Sequence, residues 1–170
     1  MNNNKNLVLL GMMGAGKSTI GSLISKKLNI KFIDIDLAIE KETKMTISQI
    51  FEKKGEAYFR NIEKKATINT LNIKNTVIAL GGGGFLNEEI RKIITSNHCS
   101  FWLNWDASIL LNRIKNNKKR PIAFNSTDVE LMNLIKKRSK TYLKAQYKID
   151  CDKSTKNQIV KKIINLYENS

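Results

Sequence analysis

Cysteine, histidine and proline are all scarce in this chain, and the first of these shortages closes off whole classes of protein. The two cysteines, Cys99 and Cys151, are too few and too unpatterned for a disulfide framework or a thiolate zinc site. The single histidine, His98, precedes a strand candidate, has no partner in sequence, and reads as structural or solvated. No apolar run approaches the ~18 residues that a membrane-spanning helix needs. The asparagine-rich stretch before Leu7 leads into a strand and not into a signal peptide. A cytoplasmic protein with reduced thiols and no membrane partner is therefore expected. The length of 170 residues suits one domain spanning 1–170.

Acidic residues are also few, 15 against 30 basic ones, for a net charge of +15. The excess is nearly all lysine and is spread over the whole chain. Only Lys115 to Arg120 forms a local cluster, without the interleaved aromatics of a nucleic-acid groove. Solvated lysines in a lysine- and asparagine-biased chain are the plainer reading, and no nucleic-acid partner is expected. Arginine occurs only at 60, 91, 113, 120 and 138. A chain that uses lysine for generic charge keeps arginine where a planar fork matters, at carboxylates, phosphates or rings.

What is present begins with Gly11-Met12-Met13-Gly14-Ala15-Gly16-Lys17-Ser18, a match to G-x-x-x-x-G-K-[ST] at every fixed position. An apolar run, Leu7 to Leu10, precedes it, and an amphipathic stretch with Ile20, Leu23, Ile24 and Leu28 on one face follows. Backbone amides of Gly14, Ala15 and Gly16, with Lys17, Ser18 and Thr19, then cradle the phosphates of a nucleoside triphosphate. Lys17 reaches the β- and γ-phosphates, and the Ser18 hydroxyl ligates Mg²⁺.

Strand candidates at 7–10, 32–35, 76–80, 100–103 and 147–150 alternate with helical stretches. The helices fall near 17–28, 37–42, 46–54, 56–73, 88–95, 107–115, 128–145 and 156–167. Thr46-x-x-Gln49, Thr127-x-x-Glu130 and Thr155-x-x-Gln158 read as capping boxes. The pattern predicts an α/β fold, a parallel sheet with helices on both faces and a ligand at the strands' carboxyl ends. The polar span 112–126 holds the only proline, Pro121, beside Arg120, and suits a lid that excludes water.

Asp34-Ile35-Asp36 ends the second strand candidate, where residues two apart share a face. One carboxylate there would hold Mg²⁺, directly or through water, and the other would align or deprotonate a substrate hydroxyl. Arg60 and Glu63 share a helix face. On spacing alone they are a surface ion pair; alternatively Arg60 grips a substrate carboxylate while Glu63 holds its fork. Gly81 to Gly84 follow a buried strand, which makes sense where a ligand approaches the backbone closely. Arg138 lies on a helix with Met132, Ile135 and Tyr142 on roughly the same side, and either reaches inward to an anion or is solvated.

In order, GMMGAGKS at 11–18, DID at 34–36, FRNIE at 59–63, GGG at 81–83, KRP at 119–121 and Arg138 resemble the shikimate kinase family. The resemblance covers nearly the whole chain. It implies a three-layer, nucleoside-monophosphate-kinase-like fold with a five-stranded parallel sheet and a lid. It implies transfer of the γ-phosphoryl of ATP to the 3-hydroxyl of shikimate, with Mg²⁺, by a single kinase domain, and a monomer is expected. By this resemblance Asp36, Arg60, Gly82 and Arg138 contact shikimate, with Asp36 as base or aligner and the two arginines on the carboxylate. Ser18 and Asp34 stand on the Mg²⁺ side, Lys17 and Arg120 act on the transferring group, and Arg113 packs on adenine.

Two prolines usual in the family are absent: Arg138-Ser139-Lys140-Thr141-Tyr142 lacks one two residues after the arginine, and 150–155 lacks another. The glycine run is one residue longer, through Gly84. A kinase of another small hydroxy acid such as gluconate is the alternative. A GTP switch would want N-K-x-D and D-x-x-G motifs, and neither occurs.

Overall fold

The computed structural model describes residues 5–115 and 126–170. Arg120, Pro121 and most of the expected lid lie outside the described residues. Five strands form one sheet: β1 (Leu7–Leu10), β2 (Lys31–Asp34), β3 (Thr76–Ala79), β4 (Cys99–Asn104) and β5 (Tyr147–Asp150). All pair in parallel, in the order β2-β3-β1-β4-β5. The described helices are α1 (Lys17–Leu28), α2 (Ile35–Thr43), α3 (Ile47–Leu71), α4 (Glu88–Asn97), α5 (Ala107–Lys115), α6 (Asp128–Tyr142) and α7 (Lys156–Glu168). A short 3₁₀ turn covers Gly84–Leu86.

The strand period splits the core. Leu7 and Leu9 of β1 pack with Ile20 and Ile24 of α1 and Ile159 and Ile163 of α7. Val8 and Leu10 face the other way, toward Ile35 and Ile39 of α2, Ile50 of α3, and Ile90 and Ile94 of α4. A strand buried on both faces needs a continuous apolar run, and LVLL supplies it.

Local chemistry sets the helix ends. The three capping boxes form as expected, each with its threonine side chain accepting the third amide. Gly55, at φ 80°, breaks α3 into the two helical pieces that the sequence predicts. Strand order reverses at β1, which lies between β3 and β4, so a crevice opens beyond the carboxyl ends of β1 and β3.

Asn6 closes the opposite end of the sheet. Its side chain donates to the Leu71 carbonyl at 2.9 Å and accepts from the Thr76 amide at 3.1 Å. Its own amide donates to His98 Nδ1 at 3.3 Å, so His98 is structural. That contact needs an unprotonated Nδ1, and burial holds the His98 pKa below its usual value. The neutral form is thus favoured in the fold, and stability from this group is present above the unfolded pKa of about 6.5. It declines as pH falls through 6.5 toward the lower folded value. The thermal midpoint should therefore drop between pH 7.5 and pH 5.5, and His98→Asn should flatten that slope. An unchanged slope would refute the role given to His98.

Candidate active site

The phosphate loop follows β1. Gly14 and Gly16 hold φ of 81° and 86°, values that L side chains rarely adopt. Gly16 is the N-cap of α1 and offers no side chain to cap it, and the first turn carries no acid. The positive end of α1 is thus left facing the loop. Lys17 Nζ bonds the Gly11 and Met12 carbonyls at 2.9 and 3.0 Å, which folds the lysine back over its own loop. Gly14, Gly16, Lys17, Ser18, Thr19, Asp34, Asp36, Leu80 and Arg113 line a cavity of about 300 Å³.

The aspartate pair requires one correction. β2 stops at Asp34, and Asp36 lies in the first turn of α2, so the two do not share a strand face. Asp34 caps α2 instead: its Oδ1 accepts the amides of Asp36 and Leu37 at 3.0 and 3.3 Å. Its Oδ2 accepts the Ser18 hydroxyl at 2.5 Å. The cap brings both carboxylates to the same cavity by a turn and not by strand alternation.

A second cavity, about 470 Å³, is lined by residues that include Arg60, Glu63, Gly83, Lys137 and Arg138. Arg60 is forked between Glu63 Oε2 at 2.7 Å and Glu56 Oε1 at 3.0 Å. Burial lowers the Arg60 pKa, but the two glutamates outweigh it and the net direction is upward. Glu63 is only 3% exposed, so this is not the surface pair that spacing alone suggests. Burial pushes the Glu63 carboxyl up, against Arg60, which pulls it down. Its Oε1 has no hydrogen-bond partner.

The glycine run lets these groups meet. A Cβ on Gly81 would collide with Glu63 Oε1 and stand 2.7 Å from Asp36 Oδ1, and one on Gly83 would collide with the Arg60 guanidinium. A Cβ on Gly82 would stand 3.3 Å from Arg138 Nη1 and 3.5 Å from the Met13 amide. Gly82 is therefore the junction between the phosphate loop and the arginine cavity. Arg138 points inward and is 5% exposed, on a helix that runs unbroken to Tyr142 without the missing proline. Burial is the main cause lowering its pKa. Tyr142 donates its hydroxyl to the Gly82 carbonyl at 2.5 Å. Burial pushes this phenol up to about 12, so it remains a donor at neutral pH.

On the opposite flank the Arg113 guanidinium lies 3.8 Å over the Trp105 ring. Arg113 also donates to the Gly14 carbonyl at 3.4 Å, and Trp105 Nε1 donates to the Ala15 carbonyl at 2.9 Å.

The family model for shikimate kinase matches residues 13–168 of this chain. The chain belongs to the shikimate kinase family. A shikimate kinase of Sulfurihydrogenibium sp. (strain YO3AOP1) is 38% identical over 160 residues, covering 94% of this chain and 96% of that protein. The solved shikimate kinase of Acinetobacter baumannii, in complex with shikimate, superposes with a TM-score of 0.91 at 30% identity, covering 98% and 94% of the two chains. A gluconokinase from Sinorhizobium meliloti reaches a TM-score of 0.55 at 16% identity, over 98% and 95% of the chains, and shares the fold alone. The shikimate kinase activity, phosphorylation of shikimate by ATP, thus belongs to this chain.

Of the residues the sequence singles out in this shikimate kinase, Lys17, Ser18, Thr19, Asp34, Asp36 and Arg113 share one cavity, and Arg60 and Arg138 the other. Arg120 lies outside the described residues. Trp105, Lys137 and the hydroxyl of Tyr142 also stand at the site, with no motif in the sequence to mark them. An aromatic at the carboxyl end of a strand beside the crevice was the available signal for Trp105.

Proposed function

We propose that shikimate binds in the 470 Å³ cavity with its 3-hydroxyl toward Gly82 and the γ-phosphoryl of ATP. Arg60 and Arg138 clamp the carboxylate, and the Gly82 backbone fixes the ring. Asp36 aligns the hydroxyl and accepts its proton as the oxygen attacks the γ-phosphorus and the bond to the β,γ-bridging oxygen breaks, with ADP leaving. Lys17 leaves its loop carbonyls for the β- and γ-phosphates, and Arg113 packs on adenine. Arg120 acts on the transferring group, an assignment resting on the family resemblance, as does a lid over 112–126. The observation that carries this reading is the cluster of Asp36, Glu63, Arg60 and Arg138 against three consecutive glycines.

Mg²⁺ fits the donors present. Asp34 and Ser18 are held together at the cavity, and no group of three or more acidic, cysteine or histidine ligands occurs among the described residues. A hard cation that takes one carboxylate and a hydroxyl, with phosphate oxygens and water completing its shell, matches that set. When bound it would neutralise charge on the phosphates. The chain is further proposed to act in the cytoplasm as a monomer of one domain. No described helix is long and apolar enough to cross a membrane.

The test is ADP release from MgATP with shikimate, gluconate and a panel of nucleoside monophosphates in parallel. Turnover confined to shikimate is expected. Comparable turnover with gluconate would overturn the assignment of the arginine cavity.

A further inference from the structure

We infer that Trp105 is a positioning residue for the nucleotide, linking the phosphate loop to the arginine proposed to meet the adenine. This rests on the placement of Arg113 given above. Trp105 is half-buried just beyond β4 and uses both of its functional surfaces. Its indole N–H donates to the Ala15 carbonyl, 90 residues earlier in the chain. No described peptide bond is cis. In a trans peptide the carbonyl of Ala15 and the N–H of Gly16 point in opposite directions. Holding that carbonyl outward on Trp105 aims the Gly16 amide the other way, toward the phosphate cradle. Gly16 sits at φ 86° with no side chain of its own to stabilise this orientation.

The ring face does separate work. Arg113 is exposed, and an exposed arginine has several rotatable bonds. Stacking at 3.8 Å on Trp105, with the bond to the Gly14 carbonyl, fixes its guanidinium plane beside the loop. An adenine arriving there meets a plane already oriented, so less rotamer entropy is lost on binding.

Trp105→Phe removes the N–H and keeps a ring, and Trp105→Leu removes both. The KM for ATP is expected to rise about threefold in W105F and about tenfold in W105L. The KM for shikimate should stay within about twofold, because the hydrogen bond and the ring contact of Trp105 go to Ala15 and Arg113 on the nucleotide side. A binding signal independent of turnover is also available. Part of the change in tryptophan emission on adding ADP should come from Trp105 and be lost in W105F, leaving the contribution of Trp102, whose ring lies beside Gly11. An unchanged ATP KM in W105F, or a parallel rise for both substrates, would overturn the proposal. W105F decides the matter alone if W105L does not fold. An unchanged ATP KM in Arg113→Leu would refute the placement of Arg113 instead, a separate failure because W105F leaves that arginine in place.

Discussion

Asp36→Asn should lower kcat by about 10²- to 10³-fold, within the usual range for removing a general base or aligning carboxylate. The substitution conserves shape, so the first turn of α2 and the Asp34 cap should survive it. The reason for the large effect is location. Asp36 faces the cavity of Lys17 and Ser18, yet its Oδ1 lies over Gly81 beside Glu63, at the margin of the arginine cavity. Among the residues assigned to the site, it is the carboxylate that lines one compartment and stands beside Glu63 of the other. A neutral amide there cannot take the proton from the attacking hydroxyl, and its N–H₂ can present a donor where an acceptor is needed. The KM values for ATP and shikimate should move far less than kcat. Full turnover in D36N, measured by ADP release, would mean that Asp36 is neither base nor aligner.

Arg138→Met should lower kcat/KM for shikimate about 10³-fold while leaving the thermal midpoint unchanged or raised. The first half follows from losing the charge-assisted bonds proposed to the shikimate carboxylate, made by an arginine only 5% exposed. The second follows from what the arginine endures without substrate. Its side chain is 5% exposed, its Nε has no hydrogen-bond partner, and burial pulls its pKa down. Met12 Sδ, at 3.7 Å, is a weak acceptor for its Nη1. A methionine of similar length fills the space without a desolvated charge. Glu63 limits the gain, since it loses a favourable cation. Calorimetry and steady-state kinetics on the same preparation test both halves. A variant within threefold of the parent for shikimate would remove Arg138 from the clamp.

The phosphate loop was legible in the sequence because its chemistry dictates residue types at fixed spacing. The capping boxes and the break at Gly55 were legible for a related reason: each is a local contest won within four residues. Asp36 shows where local rules mislead. The strand period carried it onto β2, but the Asp34 side chain took the amides of 36 and 37 and started a helix there. Contacts between distant segments left no local trace. Trp105 meets Ala15 across 90 residues, Tyr142 meets Gly82 across 60, and Asn6 meets Thr76 across 70. Glu63 is similar: its spacing from Arg60 was plain, but only the sheet and the glycine run bury it.

The central place of β1 has a consequence in time. Its neighbours on either side are β3 and β4, with Leu7 opposite Val77 and Cys99. During synthesis at roughly 5–20 residues per second, the Leu7–Leu10 run leaves the ribosome several seconds before either partner exists. It cannot pair with both of its neighbours, nor can its two apolar faces be covered, until β4 has been made. The nascent chain therefore carries a fully buried strand as its longest-waiting one, and what shields those four residues in that interval bears directly on how much of the protein reaches the folded state.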